Sequence, residues 1–255
     1  MRGIGPFLLL TLRAHRRRVI GLVAFGLLFL ASAATARVFT HSDHGHIEMD
    51  QIFELGGTTL VSAVLLLGWL IGRFPLIATL VLMAGIFSYD RSAGHARLYA
   101  VRPRSLPLLY GARFLLLATI AFLLSALLLP AFDVLVLGEW GGPSIFVLIA
   151  AQIIVFGTLT ALLSIFTRAD AWVALFLGIL GIVWDGLRRI DYFAGVPTAV
   201  RETISVLLPP QGALMRVEFA FGSLLPVPWD AFLYIVIYGA MLLLLAGLAL
   251  TRRTI

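Results

Sequence analysis

The chain has no cysteine and no lysine among its 255 residues, and each absence excludes a kind of site. Without cysteine there is no disulfide, no thiolate nucleophile and no cysteine-ligated metal. Without lysine there is no Walker-type P-loop, because that loop places a lysine on the nucleotide phosphates. The chain therefore lacks the residues for a Walker-type ATP site of its own.

Charge is also scarce, at 13% of residues, where a soluble domain carries roughly a quarter. Hydrophobic residues make up 61% of the chain, which is more than one core can bury, so we expect lipid to solvate much of the surface. This composition predicts an all-α, polytopic membrane protein. The net charge of +6 comes from arginines at the ends of apolar runs rather than from one patch, which argues against a nucleic-acid partner.

The apolar runs predict six transmembrane helices, over residues 19–36, 66–87, 108–129, 144–166, 171–187 and 229–250. The second run is apolar from Leu55 to Phe87 apart from Arg73 and Pro75. It is either one long helix that is kinked near Pro75 and starts near residue 56, or an outer re-entrant piece followed by the span. Pro130 is predicted to close the third span.

Three connecting segments are predicted to form helices at the membrane surface. Residues 1–18 are basic after a short apolar patch and predict a cytoplasmic interfacial helix, with a plain positive-inside anchor as the alternative. Residues 88–107 predict a short helix between the second and third spans, stopped by Pro103 and Pro107. Residues 188–228 are too long for a simple loop and too polar to span, which favours outer re-entrant or interfacial helices.

The distribution of charge predicts the orientation. With both termini on the inner side, thirteen of the nineteen arginines lie there, opposed only by Asp90 and Asp170. The positive-inside rule therefore places both termini in the cytoplasm. We expect a multi-pass protein of the plasma membrane, which in a bacterium is the inner membrane.

The polar segment after the second span carries an ordered set of residues. Asp90-Arg91 follows the apolar run, Gly94 comes four residues after the acid, Pro103-Arg104 lies in a basic stretch, and Gly111-Ala112-Arg113 begins the next span. This arrangement resembles the cytoplasmic coupling segment of the ABC-2 family of ABC-transporter transmembrane subunits. That family usually has Glu at the position of Asp90, and Thr where this chain has His95. The resemblance extends to the six spans and to the short helices before the last one.

The resemblance implies a transmembrane subunit that works by alternating access, in most relatives as an exporter. ATP and Mg would be bound by a separate ATP-binding cassette subunit, so that this chain is not an enzyme by itself and holds no cofactor. A second transmembrane subunit, identical or different, would complete the pathway. The residues that would form or orient the contact with the ATPase subunit are Asp90, Arg91, Gly94, Arg97 and Arg104. An alternative role for these arginines is attraction to the phosphates of membrane lipids.

One loop suggests a different chemistry. Residues 41–50 hold three imidazoles and three carboxylates, and the candidate ligands for zinc, nickel or copper are His41, Asp43, His44 and His46. A glycine-containing loop offers no helix to aim these side chains, which favours a solvated acidic loop. If metal does bind, the alternative function is an ATP-independent channel or carrier for a divalent metal.

Polar residues inside the predicted spans are few, and the candidate pathway residues are Arg73, Gln152 and Asp185. Arg73 is expected to reach the outer interface, Gln152 to make an interhelical hydrogen bond, and Asp185 to pair locally with Arg188 or Arg189. A membrane enzyme with its site in residues 188–228 is the third hypothesis. Protease and hydrolase motifs that would support it are absent from the sequence.

Overall fold

The computed structural model describes residues 4–40, 72–92, 106–136, 140–222 and 225–252. In these ranges the chain forms nine helices: α1 (Ile4–Thr40), α2 (Phe74–Met83), α3 (Ser88–Ser92), α4 (Leu106–Val136), α5 (Ser144–Phe166), α6 (Asp170–Arg189), α7 (Thr198–Leu207), α8 (Gln211–Gly222) and α9 (Trp229–Arg252).

Five helical segments among the described residues are long and apolar enough to cross a membrane: Phe74–Ser92, Leu106–Leu135, Ser144–Phe166, Asp170–Arg189 and Trp229–Arg252. The prediction of a helical protein with several helices able to cross a membrane is therefore confirmed for the described residues. The predicted first span, residues 19–36, is not among these five, so the count of six stays a prediction.

Helix α1 joins two segments that the sequence divides. Residues 1–18 were predicted to form a helix separate from the span at residues 19–36, but from Ile4 to Thr40 the structure has one helix of 37 residues. The helix continues through residue 18 because arginine is a good helix former and no proline lies near it, and Gly21 is accommodated within the helix. At 1.5 Å per residue the helix is about 55 Å long, well beyond the ~30 Å of a bilayer core.

Two prolines of α4 behave differently from the prediction. Pro107 is the second residue of α4 and begins the helix instead of stopping one, since the first turn has no use for its missing N–H. Pro130 lies inside α4, which continues to Val136, so the prediction that Pro130 closes the span is wrong. The residues around Pro130 are buried, and Phe132 lies 6.1 Å from the ring of Phe29. This packing offsets the cost of an internal proline, about 3 kcal/mol.

The predicted span at residues 66–87 is interrupted at two points. Helix α2 begins after Arg73, with Pro75 in its first turn, and ends at Met83. A turn over residues 84–87 follows, in which Gly85 has a φ of +76°, a conformation that favours glycine. Helix α3 then starts at Ser88.

The two ends of the bundle differ in what they hold. The turn at residues 84–87 lies with the start of α4, the end of α5 and the start of α6, and we name this region the Gly85 end. The end of α9 reaches it too, because Ala246 and Leu250 belong to the same buried cluster as Phe87 and Leu106. Towards the opposite end, α7 and α8 occupy part of residues 188–228, and α8 buries Leu214 against α5 and α9.

Helix α9 packs against α5 at a glycine. A Cβ atom at Gly239 would collide with Cγ2 of Ile154, which is β-branched and has little freedom to move. We expect Gly239→Val to destabilise the protein by about 1–3 kcal/mol through overpacking, measured as a lower thermal unfolding midpoint in detergent. The control is Gly21→Val, because a Cβ atom there meets no atom within 4 Å. Equal midpoints for the two variants would contradict the close packing of α5 and α9.

Candidate functional site

A buried ion pair joins α3 to α4 at the Gly85 end. Nη1 of Arg113 lies 2.7 Å from Oδ2 of Asp90, and the two side chains are 6% and 7% exposed. The hydroxyl of Tyr110 donates a hydrogen bond of 3.0 Å to the same carboxylate oxygen. The ring of Tyr110 packs edge-on against Phe87, with 4.9 Å between centroids. Asp90, Tyr110 and Arg113 are named the Asp90 clamp below.

The clamp joins the two helices that flank residues 93–105. Residues 93–105, which lie outside the described residues, connect α3 to α4. Asp90 lies at one end of this connection, and Tyr110 and Arg113 lie just beyond the other. Both ends are therefore held together by charge-assisted hydrogen bonds in a dry environment, where such bonds are strong.

Arg91 ties the same helix to α5. Its Nη1 donates a hydrogen bond of 2.6 Å to the carbonyl of Ile165 in the last turn of α5. The last four carbonyls of a helix have no partner within the helix, and a cation is favourable at that end of the dipole. Because the backbone at Asp90 and Arg91 is shared, α3 links α4 on one side to α5 on the other.

The Gly85 turn itself is held from two further helices. Arg18 of α1 donates hydrogen bonds to the carbonyls of Ala84, at 2.6 Å, and Val81, at 3.1 Å. Asp170, the first residue of α6, accepts a hydrogen bond of 2.8 Å from the N–H of Gly85. Its other oxygen accepts the N–H of Ala171 at 2.8 Å. Helices α1, α4, α5 and α6 thus all bond to the short stretch from Val81 to Arg91.

His15 is a buried titratable group beside this network. Its Nδ1 lies 2.9 Å from the carbonyl of Thr11, so Nδ1 carries the hydrogen and Nε2 is the nitrogen that would take up a proton. Burial lowers the pKa of His15 to about 4; the charges of Arg113 and Arg18 act in the same direction, while the Thr11 carbonyl and Asp90 oppose it. Burial also lowers the pKa of Arg18. His15 is therefore neutral at pH 7.

Two of the predicted coupling residues, Asp90 and Arg91, lie together in this network. The carboxylate of Asp90 faces Tyr110 and Arg113 of its own chain, so Asp90 positions the segment and does not offer its charge to a partner. The other predicted coupling residues, Gly94, Arg97 and Arg104, lie outside the described residues. The candidate metal ligands His41, Asp43, His44 and His46 lie outside them as well. Among the described residues, no three His, Cys, Asp or Glu side chains are grouped so that they could hold a metal ion.

The candidate pathway residues Arg73 and Gln152 are brought side by side. Nε2 of Gln152 donates a hydrogen bond of 3.2 Å to the carbonyl of Gly72, which precedes Arg73. Arg73 pairs with Glu218 of α8 at 2.9 Å, and both side chains are half-buried. The ten residues of α2 place this ion pair about 15 Å from the Gly85 turn, which is half the thickness of a ~30 Å bilayer core. Arg73 therefore has a partner within the bundle, where the sequence predicted a side chain at the outer interface.

Asp185 does not join this pair. It binds Arg189, one helical turn later, at 2.8 Å. Arg188, which follows it on α6, pairs instead with Glu202 of α7 at 2.9 Å, and both are exposed. Asp185 is therefore part of a local surface arrangement that connects α6 to the short helices.

Sequence reasoning missed the partners of these residues. Tyr110 and Glu218 were not singled out, Arg18 and Asp170 served only to establish the orientation, and Arg113 was noted only as part of Gly111-Ala112-Arg113. The one sequence signal for Glu218 is that it is a single acidic residue between the apolar residues Val217 and Phe219. For Arg18 and Asp170 no local signal exists, because their contacts join positions that are 66 and 85 residues apart.

Comparison with known proteins adds no identification, since no family model, curated protein or solved structure matches this chain. The likeness to the ABC-2 family therefore depends on the residues of the segment after Asp90 and on the order of the helices.

Removing one partner of the clamp leaves a buried charge without its counter-charge. We expect Asp90→Ala to lower the free energy of unfolding by about 3–5 kcal/mol because Arg113 stays buried. The double variant Asp90→Ala/Arg113→Met removes both charges and should recover at least half of that loss. Denaturant or thermal unfolding in detergent measures both values. A double variant that is no more stable than the single one would argue against the pair as the source of the effect.

The lowered pKa of His15 makes stability depend on pH. The unfolded chain takes up a proton near pH 6.5, but the folded chain does so only near pH 4, so stability falls as the pH is lowered from 6.5 to 4. We expect the unfolding midpoint of wild type to fall over this range, and His15→Gln to fall less. A difference between the two proteins that does not change with pH would rule out His15 as the titrating group.

Proposed function

We propose that this chain is the transmembrane subunit of an ABC transporter of the ABC-2 type, most simply an exporter. Substrate would cross by alternating access, driven by ATP hydrolysis in a separate cassette subunit that docks at the Gly85 end. The observation that carries the proposal is the Asp90 clamp, which fixes both ends of residues 93–105 to the helix bundle.

A coupling segment has to transmit the movement of the ATPase subunit to the transmembrane helices. If the two ends of the segment moved independently, the segment would bend and the helices would not follow. The buried bonds of Asp90 to Tyr110 and Arg113 make α3 and the start of α4 one unit, and Arg91 extends that unit to the end of α5. A push on residues 93–105 would then move two spans together, which is the kind of contiguous physical connection that coupling requires.

The proposal divides the predicted coupling residues into two roles. Asp90 and Arg91 position the segment from inside the bundle. Gly94, Arg97 and Arg104 would form the surface that meets the ATPase subunit. The proposed orientation in the plasma membrane, with the Gly85 end cytoplasmic, is supported by the thirteen arginines that the positive-inside rule assigns to that side.

Two further parts of the proposal concern the pathway. A second transmembrane subunit, identical or different, would enclose it together with this chain. The ion pair of Arg73 and Glu218, with Gln152 beside it, lies about one length of α2 away from the Gly85 end. Ionisable residues at such depth usually serve a substrate or ion path, so these three side chains are the proposed pathway residues.

The decisive experiment is affinity purification of the tagged chain from membranes of its native host in mild detergent, with quantitative mass spectrometry. We expect a P-loop ATPase at a stoichiometric ratio. Gly94→Trp, with a bulky side chain on the proposed contact surface, should reduce the bound ATPase and the transport-linked ATP hydrolysis at least tenfold, while the protein stays folded and inserted.

The matched control is Glu202→Gln, which breaks the exposed pair with Arg188 and should change neither binding nor ATP hydrolysis, since exposed pairs contribute about 0–1 kcal/mol. Wild-type protein that carries no ATPase at any detergent concentration compatible with folding would exclude the proposal. If the ATPase bound the Gly94→Trp variant as tightly as the wild-type protein, the contact would have to lie outside residues 93–105.

A further inference from the structure

A cavity of about 440 Å³ lies at the Gly85 end, between the start of α4, the end of α5 and the end of α9. Its volume is within the range of ligand-binding sites, roughly 300–1,000 Å³. Leu108 and Leu115, which line it, are 52% and 64% exposed on helix α4, one of the five candidate spans. The cavity therefore opens to the outside of the bundle, on an exposed apolar face of a candidate span.

The walls offer a ligand almost no polar contact. Tyr110 and Ser164 contribute the two side-chain hydroxyls of the lining. The hydroxyl of Tyr110 donates to Asp90, and that of Ser164 donates to the carbonyl of Ala161 at 2.8 Å. A ligand with its own hydrogen-bonding groups would lose its hydration here without replacement, which costs free energy, but a hydrocarbon chain would not. The chemistry of the lining thus selects an aliphatic chain.

Two of the residues that line the cavity are glycines, one on α4 and one on α9. Gly111 of α4 and Gly247 of α9 both line the cavity, and a Cβ atom added at either position meets no heavy atom within 4 Å. A side chain added at either position therefore begins in open space beside the cavity, so leucine at both positions should narrow the cavity.

The guanidinium of Arg91 lies beside the cavity. Arg91 donates to the carbonyl of Ile165, and Ile165 is one of the lining residues. The side chain of Arg91 is otherwise exposed, and the planar fork of a guanidinium suits the oxygens of a phosphate. The apolar cavity matches the acyl chain of a phospholipid in polarity, and the exposed arginine beside it matches the phosphate in charge.

We propose that this cavity binds one acyl chain of a membrane phospholipid, whose phosphate is held by Arg91. The bound chain lies against Phe87 and Tyr110, so the lipid contacts the Asp90 clamp directly. The site does not depend on the transporter function proposed above, because it is built from this chain alone and needs no ATPase.

The test uses the purified, delipidated full chain in detergent, mixed with phosphatidylglycerol, and counts bound lipid by native mass spectrometry. We expect one phosphatidylglycerol per wild-type chain and at least tenfold weaker binding to Gly111→Leu/Gly247→Leu. Gly21→Leu is the matched control, because Gly21 also meets no atom within 4 Å but does not line the cavity. Gly111→Val serves as the filling variant if circular dichroism shows that the double variant does not fold.

A second comparison tests the role of Arg91. Arg91→Gln should bind phosphatidylglycerol about tenfold more weakly than wild type, whereas diacylglycerol, which lacks the phosphate, should bind both equally. Phosphatidylglycerol binding that is unchanged in Arg91→Gln would overturn the phosphate contact. The site would be overturned if Gly111→Leu/Gly247→Leu bound phosphatidylglycerol as tightly as wild type. It would also be overturned if Gly21→Leu lost as much binding as that double variant. A lipid-free wild-type dimer that the filled variant converts to monomer would assign the cavity to a second copy instead.

Discussion

The buried ion pair of Asp90 and Arg113 is the interaction on which the Gly85 end depends. Two charges that are almost fully removed from water are costly unless each satisfies the other, and the hydroxyl of Tyr110 adds a further bond to the carboxylate. This requirement fixes where α3 meets α4, although the two are separated by residues 93–105. The left-handed conformation of Gly85 re-aims the chain after α2, and so allows Asp90 to face α4.

Polar contacts fix the register of the helices against one another, because apolar packing between transmembrane helices is not directional. Most surfaces of α4, α6 and α9 are aliphatic and would pack acceptably in several registers. At the Gly85 end, Arg18, Asp170 and Arg91 bind particular backbone groups of neighbouring segments, which favours one register. About 15 Å away the pair of Arg73 and Glu218 does the same for α2 and α8. The Arg73–Glu218 pair and the Gly85 turn thus lie towards the two ends of α2.

The structure shows which sequence signals were informative. The bounds of α5, Ser144–Phe166, are those that the apolar run predicted, because polar and proline residues flank it sharply on both sides. Pro130 did not mark the end of α4, because a local preference against an internal proline, about 3 kcal/mol, does not include packing contacts such as that of Phe132 with Phe29. The break in α1 was inferred from a change in polarity at residue 18, yet a helix continues through such a change as long as its backbone bonds are kept.

The sequence by itself determined that the protein is helical, that it has several helices able to cross a membrane, and that a polar segment with Asp90 and Arg91 follows the second apolar run. These properties follow from hydropathy and from residue types at short spacing, which a single chain displays directly. Only the tertiary structure decided that Asp90 faces inward, that Arg73 meets Glu218, and that an aliphatic cavity lies beside Arg91. Those contacts join helices that are far apart in the chain, and their selection depends on which buried charge can satisfy which other, a condition that no local pattern encodes.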